Sequence, residues 1–123
     1  MTTITVGVDK GSRAALEVTQ LARLRMLVTR MAEHVPLYRD RLRAAGVRAA
    51  DLRSLADLPS LPFMTKADFR DTYPYGLLAV PLDDVVRIHA SSGTTGKPTV
   101  VAYTARDIEL WTVIMARTLR AGG

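Results

Sequence analysis

The sequence contains no cysteine. That excludes a disulfide framework, a zinc ribbon and a thiol nucleophile, and it suits a reducing compartment. Long apolar runs are missing too: none approaches the roughly 18 residues that cross a bilayer as a helix. The first ten residues, Met1 to Lys10, lack a basic stretch followed by an apolar one, so they do not read as a secretory signal. The expected location is the cytoplasm. Aromatic residues are scarce at 6%, with a single tryptophan. Between Val85 and Tyr103 there is no Asp or Glu at all. What is present is ordinary for a globular chain: 123 residues, 48% hydrophobic and 24% charged. That length allows one domain at most, able to bury about two thirds of its unfolded surface.

The formal net charge is +5, and it is not evenly spread. Residues 1–53 hold ten Lys and Arg against five Asp and Glu, while residues 54–123 balance at seven and seven. Of the ten cations only Lys10 is not arginine. A basic helical segment is one route to nucleic acid or acidic lipid. Here Glu17, Glu33, Asp40 and Asp51 interrupt the arginines, and no aromatic platform for stacking bases accompanies them. The pattern reads as a solvated helical face rather than a nucleic-acid surface.

Along the chain, residues 1–11 read as a flexible leader broken by Gly7 and Gly11. Ser12 is a candidate cap, and Leu21, Leu24, Val28, Met31 and Val35 recur at helical spacing, which predicts a helix over 13–35. Pro36 closes it and opens a second helix that Gly46 stops. Residues 47–64 read as loop with one short turn, Leu55–Leu58, capped by Ser54 and ended by Pro59. Thr65 caps a short helix to about Thr72, with Asp68 in its first turn. Tyr73-Pro74-Tyr75-Gly76 is a turn. Val85–Ala90 and Thr99–Tyr103 predict two strands around a Gly-rich loop, and Thr104 caps a last helix over 105–121. The fold class expected is α/β, α+β within this stretch: helices, a β-hairpin, then a helix. That last helix is apolar over more than half its circumference, through Ile108, Leu110, Trp111, Val113, Ile114, Met115 and Leu119. It therefore needs cover on two sides.

The chemistry concentrates in Ser91-Ser92-Gly93-Thr94-Thr95-Gly96-Lys97. A phosphate cradle needs converging backbone N–H groups, glycines that let the backbone approach, hydroxyl donors and a mobile cation. All are present, and no carboxylate is there to repel the anion. It is not a Walker A loop, because Ser91 stands where the first glycine is required and Pro98 where Ser or Thr must follow the lysine. The pattern reads instead as a strand–loop–strand grip on phosphate.

The string from Ser91 to Pro98 resembles the phosphate-binding signature of the adenylate-forming acyl-CoA synthetases. Leu61–Asp68, Tyr73–Gly76, Arg87–Ser92 and Tyr103–Ile108, together with His34–Arg39 and Ala45–Val47, resemble the N-terminal region of the phenylacetate–CoA ligase family within them. The similarity runs from about residue 16 to 122. It departs at Ala102, where glycine is expected, and at Met64, where a small polar residue is usual. The resemblance implies activation of an aryl acid by ATP and Mg²⁺ to an acyl-adenylate, then transfer to coenzyme A. It implies that residues 91–97 bind the ATP phosphates, that residues 83–123 begin an AMP-binding domain after a helical segment at 12–82, and that this chain is incomplete alone. It assigns no catalytic residue and no metal ligand here. The rest of a ligase or a homodimer mate would then be the partner.

Two other readings stand beside it: a nucleotide-loop module that docks on another chain, and a basic helical nucleic-acid binder. His89, the base nearest the loop, is read as packing or as catalytic. His34 at a helix end is read as structural, the pair Asp83-Asp84 in the turn before a strand as solvated rather than metal-binding, and Tyr103 and Trp111 as core rather than substrate-stacking.

Overall fold

The computed structural model describes residues 12–91 and 96–123. Helix α1, Arg13–His34, starts where Ser12 Oγ accepts the Ala15 N–H at 3.3 Å. Its predicted stripe faces inward, with Val28 buried and Leu21, Leu24 and Ala32 beside it. The residue before a proline is driven out of helical geometry. Val35, at φ −115° and ψ 101°, ends α1 one residue early for that reason and is fully buried at the corner. Pro36 then opens α2, Pro36–Ala44, which packs against α1. Gly46 ends α2 at φ +66°. Its N–H donates to Arg43 O at 3.1 Å and the Val47 N–H to Leu42 O at 3.0 Å, a Schellman closure that returns Val47 to the core.

Leu52 completes the core with Val28 and Leu42. It lies between two 3₁₀ turns, Ala49–Asp51 and Leu55–Ser60. The second runs past Pro59, where the sequence predicts a stop. Proline's fixed φ suits 3₁₀ geometry, and the Leu61 N–H closes the turn on Leu58 O at 3.1 Å.

The arginines of the first half reach backbone as well as water. Arg25 Nε donates to Leu52 O at 2.8 Å, and Arg30 Nε to Ala79 O at 3.4 Å. Arg39 donates to Ala32 O at 2.7 Å and to Glu33 O, satisfying the last carbonyls of α1. Arg41 Nη1 donates to Phe63 O at 2.8 Å. Each clamps a segment that helix propensity alone leaves loose.

Arg41 also grips Asp68. Helix α3, Lys66–Asp71, is capped by Thr65 as expected, and Asp68 Oδ2 accepts the Thr65 N–H at 2.6 Å. The same carboxylate takes a two-pronged hydrogen bond from Arg41, at 2.8 Å from Nη1 and again from Nη2. Asp68 is 6% exposed. Arg41, then the Thr65 N–H, hold its carboxyl well below the usual range, and Asp68 raises the Arg41 guanidinium in turn.

After a 3₁₀ turn at Leu82–Asp84, strands β1, Val85–Ala90, and β2, Val100–Thr104, form an antiparallel hairpin. Arg87 faces Tyr103, Ile88 Ala102, His89 Val101 and Ala90 Val100, with an irregularity between Val85 and Arg87. Helix α4, Ala105–Gly122, follows at once, its Thr104 cap locked to Asp107 in both directions. It rests on β2, and Leu110, Trp111, Ile114, Met115 and Leu119 stay exposed, as its apolar circumference predicts. The expected mixed helix and strand class holds. Among the described residues no helix is long and apolar enough to cross a membrane.

Two outcomes follow in urea melts of the chain. Leu52→Ala loses about 2–5 kcal/mol, the range for a truncated core leucine. Because Asp68 titrates lower folded than unfolded, its contribution is fully present above about pH 4, the unfolded aspartate value, and fades as acid is added below it. In Asp68→Asn that part of the acid loss is gone, and stability at neutral pH is lower.

Candidate phosphate-binding loop at the hairpin tip

Ser91 leaves β1 and meets Thr99 just before β2. The Ser91 N–H donates to Thr99 O at 3.0 Å, and Ser91 Oγ accepts the Thr99 N–H at 3.2 Å. These two bonds close the loop at its base. Gly96 has φ +123°, a backbone state that side-chain-bearing residues rarely adopt. No atom of the described residues would obstruct a Cβ there, and the backbone angle by itself favours the glycine. Lys97 is exposed, with Nζ 5.8 Å from the centre of the Tyr73 ring. Ser92, Gly93, Thr94 and Thr95 lie outside the described residues.

The charge layout suits an anion at the tip. Asp83, Asp84 and Asp107 flank the opposite end of the hairpin, beyond Val85 and Thr104. A six-residue strand is about 20 Å long, so these acids stand well away from Lys97. Among the described residues no group of three or more His, Cys, Asp or Glu could hold a metal ion.

His89 packs edge-on against Tyr103 and Trp111, with ring centres at 5.0 and 5.8 Å. Tyr103 and Trp111 stack at 5.7 Å. This trio joins α4 to the hairpin a short step below the loop and gives His89 a packing role. Trp111 is half-exposed here rather than buried. His34 is exposed beside Glu33, at 3.8 Å. Sequence reasoning places Thr99 in a strand and Tyr73 in a turn and assigns neither to the site. No local pattern signals either one, because both meet the loop through tertiary geometry.

A search of the curated proteins finds the phenylacetate–coenzyme A ligase of Aromatoleum evansii, 52% identical over 94% of this chain. The Escherichia coli phenylacetate–coenzyme A ligase is 51% identical over 94%. Over nearly its whole length the chain is similar to phenylacetate–coenzyme A ligases. It spans about a quarter (26%) of the length of these relatives. No family model matches it. Among solved structures, a 2-hydroxyisobutyryl-CoA ligase in complex with 2-HIB-AMP and CoA superposes with a TM-score of 0.71 at 30% identity, covering 78% of this chain and 21% of that one. The chain matches the N-terminal part of that ligase. The resemblance drawn from the motifs and these similarities therefore agree.

The glycine requirement is open to direct measurement. Gly96→Ala should destabilise the loop by about 1–3 kcal/mol, the range for a side chain forced into such a backbone state. Ser91→Ala should speed hydrogen exchange at the Thr99 amide, which loses its acceptor, while amides in α1 exchange as before.

Proposed function

We propose that residues 91–97 grip the triphosphate of ATP for an aryl acid–CoA ligase, with the remaining machinery in the length that relatives have beyond this segment. The observation that carries this reading is a Gly/Ser/Thr/Lys string held between two paired strands, in a chain about half identical to phenylacetate–coenzyme A ligases. In the reaction implied, a carboxylate oxygen attacks the α-phosphorus and the bond to pyrophosphate breaks. Charge grows on the leaving pyrophosphate. Backbone N–H groups and hydroxyls of the loop hold those oxygens in line, and Lys97 supplies a positive charge. The Ser91 hydroxyl fits this role, since its oxygen accepts from Thr99 and its proton has no acceptor among the described residues.

The acid, in this reading, is phenylacetate or another aryl acid, and the acceptor is coenzyme A. The solved neighbour's complex with an acyl-adenylate and CoA supports adenylate chemistry in the wider family. In this reading Mg²⁺ accompanies the ATP, and the part proposed for this chain is the grip on the triphosphate. The exposed apolar side of α4 supports the same view: Leu110, Trp111, Ile114, Met115 and Leu119 are surface for the rest of a ligase to cover. The arginines that reach backbone carbonyls weigh against a nucleic-acid face.

The test exchanges residues 12–123 into the segment they match in the Escherichia coli ligase. Phenylacetate-dependent ATP–pyrophosphate exchange should persist, and Lys97→Ala should lower it about 10²–10³-fold, the range for a lost transition-state donor. Unchanged exchange in Lys97→Ala contradicts the assignment. The 123-residue chain by itself should give no exchange.

A further inference from the structure

Lys97 carries the loop's charge on a four-carbon stem, and such a stem is mobile unless something holds it. Two features restrain it here. Pro98 follows, which confines the Lys97 backbone to extended geometry. The ammonium also sits over the Tyr73 ring at 5.8 Å, inside cation–π range.

Tyr73 is itself firmly placed. It lies directly after α3, where the Thr72 hydroxyl donates to Asp68 O at 2.6 Å and the Thr72 N–H to the same oxygen at 3.1 Å. The Gly76 N–H then donates to Thr72 O at 2.8 Å. The turn is so tight that a Cβ on Gly76 would fall 2.8 Å from both the Thr72 Cβ and its carbonyl oxygen. Only glycine fits. The ring is thus anchored to the helix that Arg41 ties down through Asp68.

We propose that Tyr73 is a positioning residue for Lys97, its ring holding the ammonium at the loop so that the cation is in place when phosphate arrives. The inference rests on the phosphate-loop reading of residues 91–97 and adds a residue outside the loop to it. A ring face occupies one side of an ammonium and leaves its other N–H donors to an anion, so the contact and phosphate binding coexist. Holding a flexible side chain in advance lowers the ordering cost of binding.

The test uses the 123-residue chain, with sodium tripolyphosphate as the probe. In NMR spectra the Lys97 ε-methylene protons should be shifted upfield by the ring, in the wild type and in Tyr73→Phe, and should move to the position of a free lysine in Tyr73→Leu. The tripolyphosphate Kd should weaken about two- to five-fold in Tyr73→Leu, the worth of an exposed cation–π contact, and Tyr73→Phe should restore it. In a Lys97→Ala background Tyr73→Leu should have no further effect. Tyr73 is 40% exposed, so the variants should keep the wild-type circular dichroism and melt, and both are measured alongside. If Tyr73→Leu binds as tightly as the wild type or tighter while Lys97→Ala binds more weakly, the positioning role is overturned and the phosphate loop stands. If Lys97→Ala binds like the wild type, or the wild type binds no tripolyphosphate, the phosphate reading falls and the positioning role with it.

Discussion

The carboxylate of Asp68 is the junction on which the arrangement depends. It begins α3 by accepting the Thr65 N–H, and it joins α3 to α2 through both arms of the Arg41 guanidinium. A nearly buried charge is costly unless it is paired and hydrogen-bonded. Here both conditions are met by groups 3 and 27 residues away in sequence. Arg41 also holds Phe63 O, so one guanidinium fixes the approach to α3 as well as its first turn. Downstream, the carbonyl of the same Asp68 receives both donors of Thr72 and sets the turn that carries Tyr73. From helix pair to loop lysine the connection runs through specific hydrogen bonds and ends on a cation–π contact.

Much of this architecture is legible in the sequence because its signals are local. The Leu21, Leu24, Val28 spacing of α1, Pro36 at the start of α2, Gly46 at its end, and the caps Ser12, Ser54, Thr65 and Thr104 act within a turn or two of their own positions. The β-branched runs flanking a Gly-rich loop identify the hairpin for the same reason. Asp68 illustrates the limit. Its place in the first turn of α3 follows from its distance to Thr65, whereas its pairing with Arg41 joins residues 27 apart that only the folded chain brings together. The basic excess shows it again. By composition it is a charged helical face, yet Arg25, Arg30, Arg39 and Arg41 reach carbonyls of other segments or of a helix end. The loop residues are legible as chemistry, but the partners Thr99 and Tyr73 belong to three-dimensional geometry.

The two halves of the molecule differ in how they are closed. The helical half has a small core of Val28, Leu42 and Leu52 with Val35 sealed at its corner. The hairpin and α4 have the aromatic trio and a capping box but leave large side chains in water, among them Val86, Ile88 and Val101 on the strands. Two strands alone are marginal in water. Exposed apolar area on both sheet and helix fits a segment that spans about a quarter of its relatives' length.

The paired bonds between Ser91 and Thr99 have an entropic consequence for recognition. They tether the ends of residues 92–98 before any ligand is met, and the loop-closure entropy of that short ring is already spent when the strands zip. An anion bound as proposed would meet a ring whose two ends are already fixed to each other. The register of β1 against β2 is set by bonds outside the proposed grip, so binding there would ask for no reorganisation of the sheet.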